Sequence, residues 1–197
     1  MLPADATLPH LLERNAADRP EAPALAWREP GTGEWSTLTW SLVRDRITEL
    51  AEGYAAPGVR PGDHVLLMMA NRPEHWLSDL ALVHTGAVPT TVYGTSAPEQ
   101  VAHIARHSRA RLAVVENPDL AAAWEGLLGD PGTPLGALMV VDGAEPARGH
   151  TDYAILRGAP GGPAAERWRG RGPGDLFTVV HTSGTPGDPK GEELYRD

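Results

Sequence analysis

Residues 64–70 read His-Val-Leu-Leu-Met-Met-Ala, and the segment that follows begins Asn71-Arg-Pro73 and ends at Gly86. A nearly unbroken apolar run of this length is typical of a strand that is buried on both faces of a parallel sheet. Asn71 can cap the following helix, Pro73 suits its first turn, and Gly86 favours its end. The two segments together predict the strand–helix unit from which α/β proteins are built.

The same alternation of strand and helix patterns continues on both sides of this unit. A hairpin precedes it, followed by a helix to Tyr54 that Thr39 or Ser41 can cap. Ser96-Ala-Pro-Glu99 reads as a capping box for a later helix. The predicted strands are 22–28, 36–40, 64–70, 87–93, 112–116 and 137–142, and the later helices are 96–108 and 117–128. The order predicts an α/β fold with a mostly parallel sheet and flanking helices.

The composition of the chain changes near its end. Residues 158–174 are rich in Gly, Pro and Arg, which is typical of a loop or linker. Arg167, Arg169 and Arg171 surround Trp168 without a fixed face, so we interpret this segment as a solvated loop rather than a polyanion site. We therefore divide the chain into an α/β subdomain (1–157), a linker (158–174) and a final strand with its loop and tail (175–197).

Composition excludes several classes of function. The 197 residues carry a net charge of −9, which argues against a nucleic-acid-binding surface. The absence of cysteine excludes disulfides, thiolate nucleophiles and cysteine-based metal sites. No apolar run approaches the ~20 residues that span a bilayer. The first residues lack the features of a signal peptide, so the expected location is the cytoplasm.

Residues 182–191, Thr-Ser-Gly-Thr-Pro-Gly-Asp-Pro-Lys-Gly, follow the predicted strand 175–181 and carry most of the chemistry. The glycines allow N–H groups to approach a ligand closely, the hydroxyls add donors, and Lys190 adds a cation. The pattern is not a Walker A loop, because Pro189 precedes the lysine and Gly191 stands where Ser or Thr would bind magnesium. From composition alone, the segment is either an ordinary connector or a phosphate-binding loop.

This segment resembles the signature loop of the adenylate-forming, or AMP-binding, superfamily, which reads an aromatic residue followed by T-S-G-T-T-G-x-P-K-G. His181 stands in place of the aromatic residue, and Pro186 replaces the second Thr, which removes one hydroxyl and one N–H donor. The matching positions are Thr182, Ser183, Gly184, Thr185, Gly187, Pro189, Lys190 and Gly191.

Further segments resemble the same family in its usual order. Residues 92–100, Val-Tyr-Gly-Thr-Ser-Ala-Pro-Glu-Gln, are most similar to the long-chain fatty acyl-CoA synthetase branch. The others are Leu38-Thr39-Trp40, Gly58-Val-Arg-Pro-Gly-Asp-His-Val65, Asn71-Arg-Pro-Glu74 and Gly86-Ala-Val-Pro89. The resemblance implies the N-terminal part of the large domain of an adenylate-forming enzyme, without the rest of that domain.

The resemblance also implies a reaction and its ligands. In this family a carboxylate attacks the α-phosphate of Mg-ATP to give an acyl-adenylate, and CoA then displaces AMP to give a thioester. The resemblance assigns the phosphates of ATP, with Mg²⁺, to the matching residues of the loop. They are Thr182, Ser183, Gly184, Thr185, Gly187, Lys190 and Gly191. It assigns no catalytic residue and no metal ligand in this chain.

Three hypotheses follow, because the family's later adenine and ribose segments and its catalytic lysine have no counterpart here. The chain is a truncated synthetase, inactive alone, or one piece of a split synthetase that needs a C-terminal chain. Alternatively, it is a non-enzymatic nucleotide-phosphate-binding or interaction module. His103 and His107 lie four residues apart on a predicted helix, a spacing that suits a metal, but we interpret them as a solvated face.

Overall fold

The computed structural model describes residues 6–157, 161–172, 174–182 and 190–195. Within these residues, five α-helices flank the sheets. They are α1 (Leu8–Asp18), α2 (Trp40–Ala55), α3 (Pro73–Thr85), α4 (Pro98–Ser108) and α5 (Pro118–Glu125). Short 3₁₀ helices occur at Pro146–Arg148, Tyr153–Leu156 and Pro163–Gly170.

The described strands form two sheets. They are β1 (Pro23–Arg28), β2 (Trp35–Thr39), β3 (His64–Met68), β4 (Val88–Thr91), β5 (Leu112–Val115), β6 (Ala137–Val140), β7 (His150–Asp152), β8 (Leu176–Thr182) and β9 (Lys190–Tyr195). An antiparallel hairpin joins β1 to β2, and the larger sheet has the order β7-β6-β5-β3-β4-β8-β9. Six of its strands are parallel and β9 is antiparallel, which confirms the predicted mostly parallel α/β fold.

The central strand β3 explains why the apolar run at 64–70 decides the fold. Val65 and Leu67 face a core formed with α2 and α3, whereas Leu66 and Met68 face a second core formed with α4 and α5. Because alternate side chains of a strand point to opposite faces, both faces need apolar residues. Each of these four side chains is at most 2% exposed.

One predicted helix cap is confirmed, a further cap is found at Asn117, and two predicted caps are wrong. The Thr39 hydroxyl accepts a hydrogen bond from the Leu42 N–H (3.4 Å), and Asn117 Oδ1 accepts one from the Leu120 N–H (3.1 Å). Asn71 is not the cap of α3, because that helix begins one residue later, after Arg72. Ser96 is not the cap of α4 either, since Ala97 holds that position and has no side-chain oxygen.

The predicted linker contains an ordered, packed segment. Ala164, Ala165 and Trp168 of the 3₁₀ helix Pro163–Gly170 are almost completely buried. Glu52 on α2 accepts hydrogen bonds from the Ala164 and Ala165 N–H groups, at 2.7 and 3.0 Å. The interpretation as a solvated loop is therefore wrong here, because small residues and an apolar ring fit against α2 and α3. The three-part division of the chain stays a prediction.

The three arginines of this segment do not form a common anion site. Arg167 Nη1 donates to the Val59 carbonyl oxygen (3.2 Å), and Arg169 pairs with Glu166. Arg171 lies 3.5 Å from Asp175. Each guanidinium therefore already has a partner within the protein.

Candidate nucleotide-phosphate site

The segment predicted to bind phosphate connects two paired strands. The predicted strand at 175–181 is confirmed as β8, and β9 returns antiparallel beside it. In the ladder, Thr182 is opposite Lys190 and His181 is opposite Gly191. The fold therefore brings the two ends of the ten-residue segment together and makes residues 183–189 the connection between them.

The predicted site residues divide into two groups. Thr182 is the last residue of β8, and Lys190 and Gly191 are the first two residues of β9. Ser183, Gly184, Thr185 and Gly187 lie outside the described residues. The phosphate-binding role of all seven stays a prediction. The sequence analysis missed β9, because only six residues follow Gly191 and they carry no clear strand pattern.

The position of β8 places the start of this connection at the carboxyl edge of the sheet. β8 pairs in parallel with β4, with Thr90 opposite Val179 and Thr91 opposite Val180. The Thr178 hydroxyl donates to the Pro89 carbonyl oxygen at 2.8 Å. The carboxyl ends of β4 and β8 therefore lie side by side, and ligands of open α/β sheets bind outside the carboxyl ends of the strands.

A cluster of charged side chains, which we call the Arg72 network, joins the carboxyl ends of three other strands. Arg72 follows β3, Glu116 follows β5, and Asp142 lies two residues after β6. Arg72 Nη1 lies 2.6 Å from Asp142 and 3.9 Å from Glu116, and its Nε donates to Glu74 at 2.7 Å. Glu116 also accepts a hydrogen bond from the Ala70 N–H at 2.8 Å.

The Arg72 network is satisfied within the protein. Burial by itself lowers the pKa of Arg72, but the hydrogen bonds with Asp142 and Glu74 outweigh burial and raise it above its usual value. The guanidinium is therefore held by its own carboxylates rather than offered to a ligand. The sequence carried a signal for this network, because a charged residue follows each of these buried strands at the edge where parallel strands end.

The histidine pair shows no metal-binding arrangement. His103 and His107 both lie on α4, with nearly parallel rings whose centroids are 6.0 Å apart. Among the described residues, no group of three His, Cys, Asp or Glu side chains is placed to hold a metal ion. Within the same part of the chain, no helix has the length and apolar character needed to cross a bilayer.

Comparison with known proteins identifies the family to which this arrangement belongs. The family model described as AMP-binding enzyme matches residues 12–194, nearly the whole chain. The chain belongs to the AMP-binding enzyme family. This result confirms the membership that the loop motif and the upstream segments predicted.

Two curated relatives of this AMP-binding protein are similar over most of its length. The uncharacterized protein Rv1549 of Mycobacterium tuberculosis is 34% identical over 142 residues, which are 72% of this chain and 76% of that protein. The long-chain-fatty-acid–CoA ligase FadD15 of Mycobacterium bovis is 31% identical over 164 residues, which are 82% of this chain. These residues make up 27% of the ligase, so the chain spans about a quarter of its length.

A solved structure supports the fold independently. The acetoacetyl-CoA synthetase of Streptomyces lividans superposes with a TM-score of 0.81 at 24% identity. The match covers 98% of this AMP-binding chain and 30% of that synthetase. At this identity the likeness establishes the architecture, which is the same in both proteins over the region compared.

Proposed function

We propose that this AMP-binding protein binds the phosphates of Mg-ATP through residues 182–191, as the N-terminal part of a long-chain acyl-CoA synthetase. The observation that supports this proposal is the pairing of Thr182 with Lys190 at the carboxyl edge of the sheet. That pairing turns a family loop sequence into a closed connection between two strands. The sequence of this connection supplies glycine N–H groups, hydroxyls and one cation within ten residues, which suits a polyphosphate.

The donors of this loop fit phosphate oxygens rather than the metal. Backbone N–H groups, hydroxyls and the ammonium of Lys190 all donate hydrogen bonds, whereas Mg²⁺ needs oxygen ligands. Magnesium bound to ATP takes most of its ligands from phosphates and water. We therefore expect Mg²⁺ to arrive with the nucleotide and to neutralise phosphate charge, while this chain positions the β- and γ-phosphates.

We further propose that these 197 residues do not complete acyl adenylation by themselves. Lys190 is the only lysine of the chain and belongs to the phosphate loop, so no second lysine is present for the family's catalytic role. CoA and the fatty acid, which the complete family reaction uses, have no assigned residues here. Catalysis would then require the adenine, ribose and catalytic-lysine segments in addition to these residues.

The single lysine allows a direct test of phosphate binding. An amine-directed reagent can modify only Lys190 and the N-terminal amine, which mass spectrometry distinguishes. We expect Mg-ATP to protect Lys190 and to raise the melting temperature, since binding to the folded state stabilises it. Lys190→Gln should weaken ATP binding about 10- to 100-fold, the loss expected for charge-assisted hydrogen bonds.

A matched control separates phosphate binding from a general effect of charge. Arg14→Gln also removes one positive charge, from an exposed position on α1, and should leave ATP binding unchanged. Equal labelling of Lys190 with and without Mg-ATP, together with no shift in melting temperature, would refute the proposed phosphate role.

ATP–pyrophosphate exchange with a long-chain fatty acid distinguishes the three hypotheses of function. We expect no exchange by the chain alone. Exchange restored by a second chain that carries the adenine, ribose and catalytic-lysine segments would favour a split synthetase. ATP binding without exchange under either condition would favour a nucleotide-binding module. Exchange by the purified chain alone would contradict the proposal that these residues do not complete acyl adenylation by themselves.

A further inference from the structure

A cleft of about 460 Å³, which we call the tryptophan cleft, separates the β1–β2 hairpin from the first turns of α3. Its walls include Trp27 of β1, Trp76 and Asp79 of α3, and Thr91 at the end of β4. A second space of about 550 Å³ shares Trp27 with it and extends to Trp35. None of these residues belongs to the predicted phosphate site.

Asp79 gives the tryptophan cleft a negative charge that nothing in the described structure neutralises. Within the described residues, Asp79 takes part in no ion pair or hydrogen bond. Burial raises its pKa to about 6, and no neighbouring cation offsets this rise. The carboxylate is therefore partly shielded from bulk water and lacks the partner that such a group normally has.

The other charged or titratable groups near Asp79 are already occupied or stay neutral. Arg72, which also lines the cleft, is held by the carboxylates of the Arg72 network. Both ring nitrogens of His75 lie 3.3 Å from oxygen atoms, of Ala70 and Thr91. Tyr54 approaches from α2, and its pKa is raised by burial and then by Tyr153 and Asp79, so it remains uncharged near neutral pH.

Aromatic surfaces complete the recognition chemistry of the cleft. Trp27 and Trp76 line the tryptophan cleft with Asp79, and Trp35 lines the second space. The negative face of an indole attracts cations, especially organic ammonium groups whose alkyl substituents also pack against the ring. The second space already shows a cation–indole contact, because the Arg28 guanidinium lies 5.8 Å from the centroid of the Trp35 ring.

We propose that the tryptophan cleft binds a small organic ammonium cation, with its charge near Asp79 and its alkyl groups against Trp27 and Trp76. A carboxylate ligand would be repelled by Asp79, and an inorganic cation would lack the several oxygen ligands that it requires. An uncharged ligand of the same shape would leave the half-buried carboxylate without a partner. This site is distinct from the phosphate loop and goes beyond the proposed function.

The experiment compares choline with its uncharged isostere 3,3-dimethylbutan-1-ol. Titrations of the ¹⁵N-labelled protein would follow the indole N–H signals, assigned by Trp27→Phe and Trp76→Phe. We expect choline to shift the signals of Trp27 and Trp76 and to bind at least about tenfold more tightly than the isostere, as an ammonium–indole contact near a carboxylate requires. Equal binding of both probes, or no binding of choline, would overturn the proposal.

Two variants test the role of Asp79. Asp79→Asn should weaken choline binding about tenfold or more, because it removes the charge and keeps the shape. Asp119→Asn removes an exposed carboxylate on α5, which packs on the opposite face of the sheet, and should leave binding unchanged. Comparable losses in both variants would indicate a general effect of net charge and would contradict a site at Asp79.

The pH dependence provides a readout that does not depend on a variant. Since the pKa of Asp79 is about 6, its ionised fraction falls from about 0.9 at pH 7 to about 0.1 at pH 5. Choline affinity should therefore fall several-fold, by up to about tenfold, over this range. The same fall in choline affinity should occur in His75→Gln. A choline affinity that is constant between pH 5 and 7 would contradict the role of the Asp79 carboxylate.

Discussion

The phosphate loop and the tryptophan cleft lie at the same carboxyl edge of the sheet but are assembled in different ways. The loop consists of ten consecutive residues, 182–191, whose ends meet because β8 and β9 pair. The cleft combines β1, α3 and β4, and its residues extend from Leu25 to Thr91 along the chain. A site of the first kind can be recognised in the sequence, whereas one of the second kind exists only after the chain has folded.

The two regions also differ in charge. The loop offers a lysine and N–H donors, which suit anionic phosphate, whereas the cleft offers a carboxylate and indole rings, which suit a cation. Under the two proposals, one acidic chain would hold ligands of opposite charge at separate places. The first three predictions below test contacts and burial that exist only in the folded chain, and the last tests whether the loop contacts phosphate.

The largest expected effect comes from Gly53→Ala. In an ordinary helix interior this change stabilises by about 1 kcal/mol. Here an added Cβ would lie 1.7 Å from the carbonyl oxygen of Leu156, so α2 and the 3₁₀ helix Tyr153–Leu156 must separate. We expect the free energy of unfolding to fall by about 3 kcal/mol, measured by urea denaturation with circular dichroism.

Gly126→Ala is the control for this prediction. Gly126 ends α5 with φ of −67°, and an added Cβ would meet no other atom within 4 Å. It should leave the free energy of unfolding unchanged or slightly higher. If Gly53→Ala is tolerated equally well, the described packing of α2 against Leu156 is wrong.

The second prediction concerns the pH dependence of stability at Asp79. Burial raises its pKa from 3.8 to about 6 on folding. Between these values the folded state binds more protons than the unfolded state, so this group destabilises the protein as pH rises and its full cost is present above pH 6. Asp79→Asn should therefore raise the free energy of unfolding by about 2 kcal/mol at pH 7.5 and have little effect at pH 4.

Urea denaturation of both proteins at pH 4, 6 and 7.5 would measure this difference. Asp119→Asn, at an exposed position, should show no comparable trend with pH. If the free energies of unfolding of Asp79→Asn and the parent protein differ by the same amount at every pH, Asp79 is not desolvated. Added choline should reduce the advantage of Asp79→Asn at pH 7.5, because it binds the ionised carboxylate only in the folded parent protein.

The strands and helices that the sequence predicted correctly have local causes. Residues 64–70 read as a buried strand because both faces of β3 are covered, and Thr39 and Asn117 cap helices through hydrogen bonds that span three residues. The family loop was recognisable because its chemistry lies in consecutive residues. The two ends of that loop pair with each other at the carboxyl edge of the sheet. The phosphate-binding role of the loop stays a prediction.

The features that the sequence did not predict depend on contacts between distant residues. Trp168 is buried, and its ring centroid lies 4.7 Å from that of His10. Glu52 accepts a hydrogen bond from the N–H of Ala164, which is 112 positions away in the chain. Nothing in the Gly-, Pro- and Arg-rich composition of 158–174 indicates either contact. The helix α1 and the strand β7 were likewise missed, since α1 packs against other helices and β7 has only three residues.

The third prediction tests one such distant contact. The Tyr153 hydroxyl lies 2.7 Å from the Ser78 hydroxyl, and the two residues are 75 positions apart in the chain. Tyr153→Phe should lower the free energy of unfolding by about 1 kcal/mol, the usual contribution of one hydrogen bond. Burial raises the pKa of Tyr153 to about 12, so the loss should be constant between pH 6 and 9.

Urea denaturation with a double-mutant cycle that includes Ser78→Ala would isolate this hydrogen bond. Tyr93→Phe removes the hydroxyl of an exposed tyrosine and should change the free energy of unfolding by less than about 0.5 kcal/mol. Additive effects of Tyr153→Phe and Ser78→Ala would show that the two hydroxyls do not interact.

The smallest expected effect, and the one that defines the loop most sharply, is a gain of affinity in Pro186→Thr. The change restores the hydroxyl and N–H donor that the family loop has at this position, and each new hydrogen bond contributes about 0.5–1.5 kcal/mol. ATP should therefore bind several-fold more tightly in calorimetric titrations. Because the loop is a local site, the free energy of unfolding without ATP should change by less than about 1 kcal/mol.

Pro30→Thr, in the turn between β1 and β2, loses a proline ring in the same way and should not change ATP affinity. If Pro186→Thr and Pro30→Thr affect ATP binding equally, residues 182–191 do not contact the phosphates, and the contrast between a local loop and an assembled cleft fails at the loop.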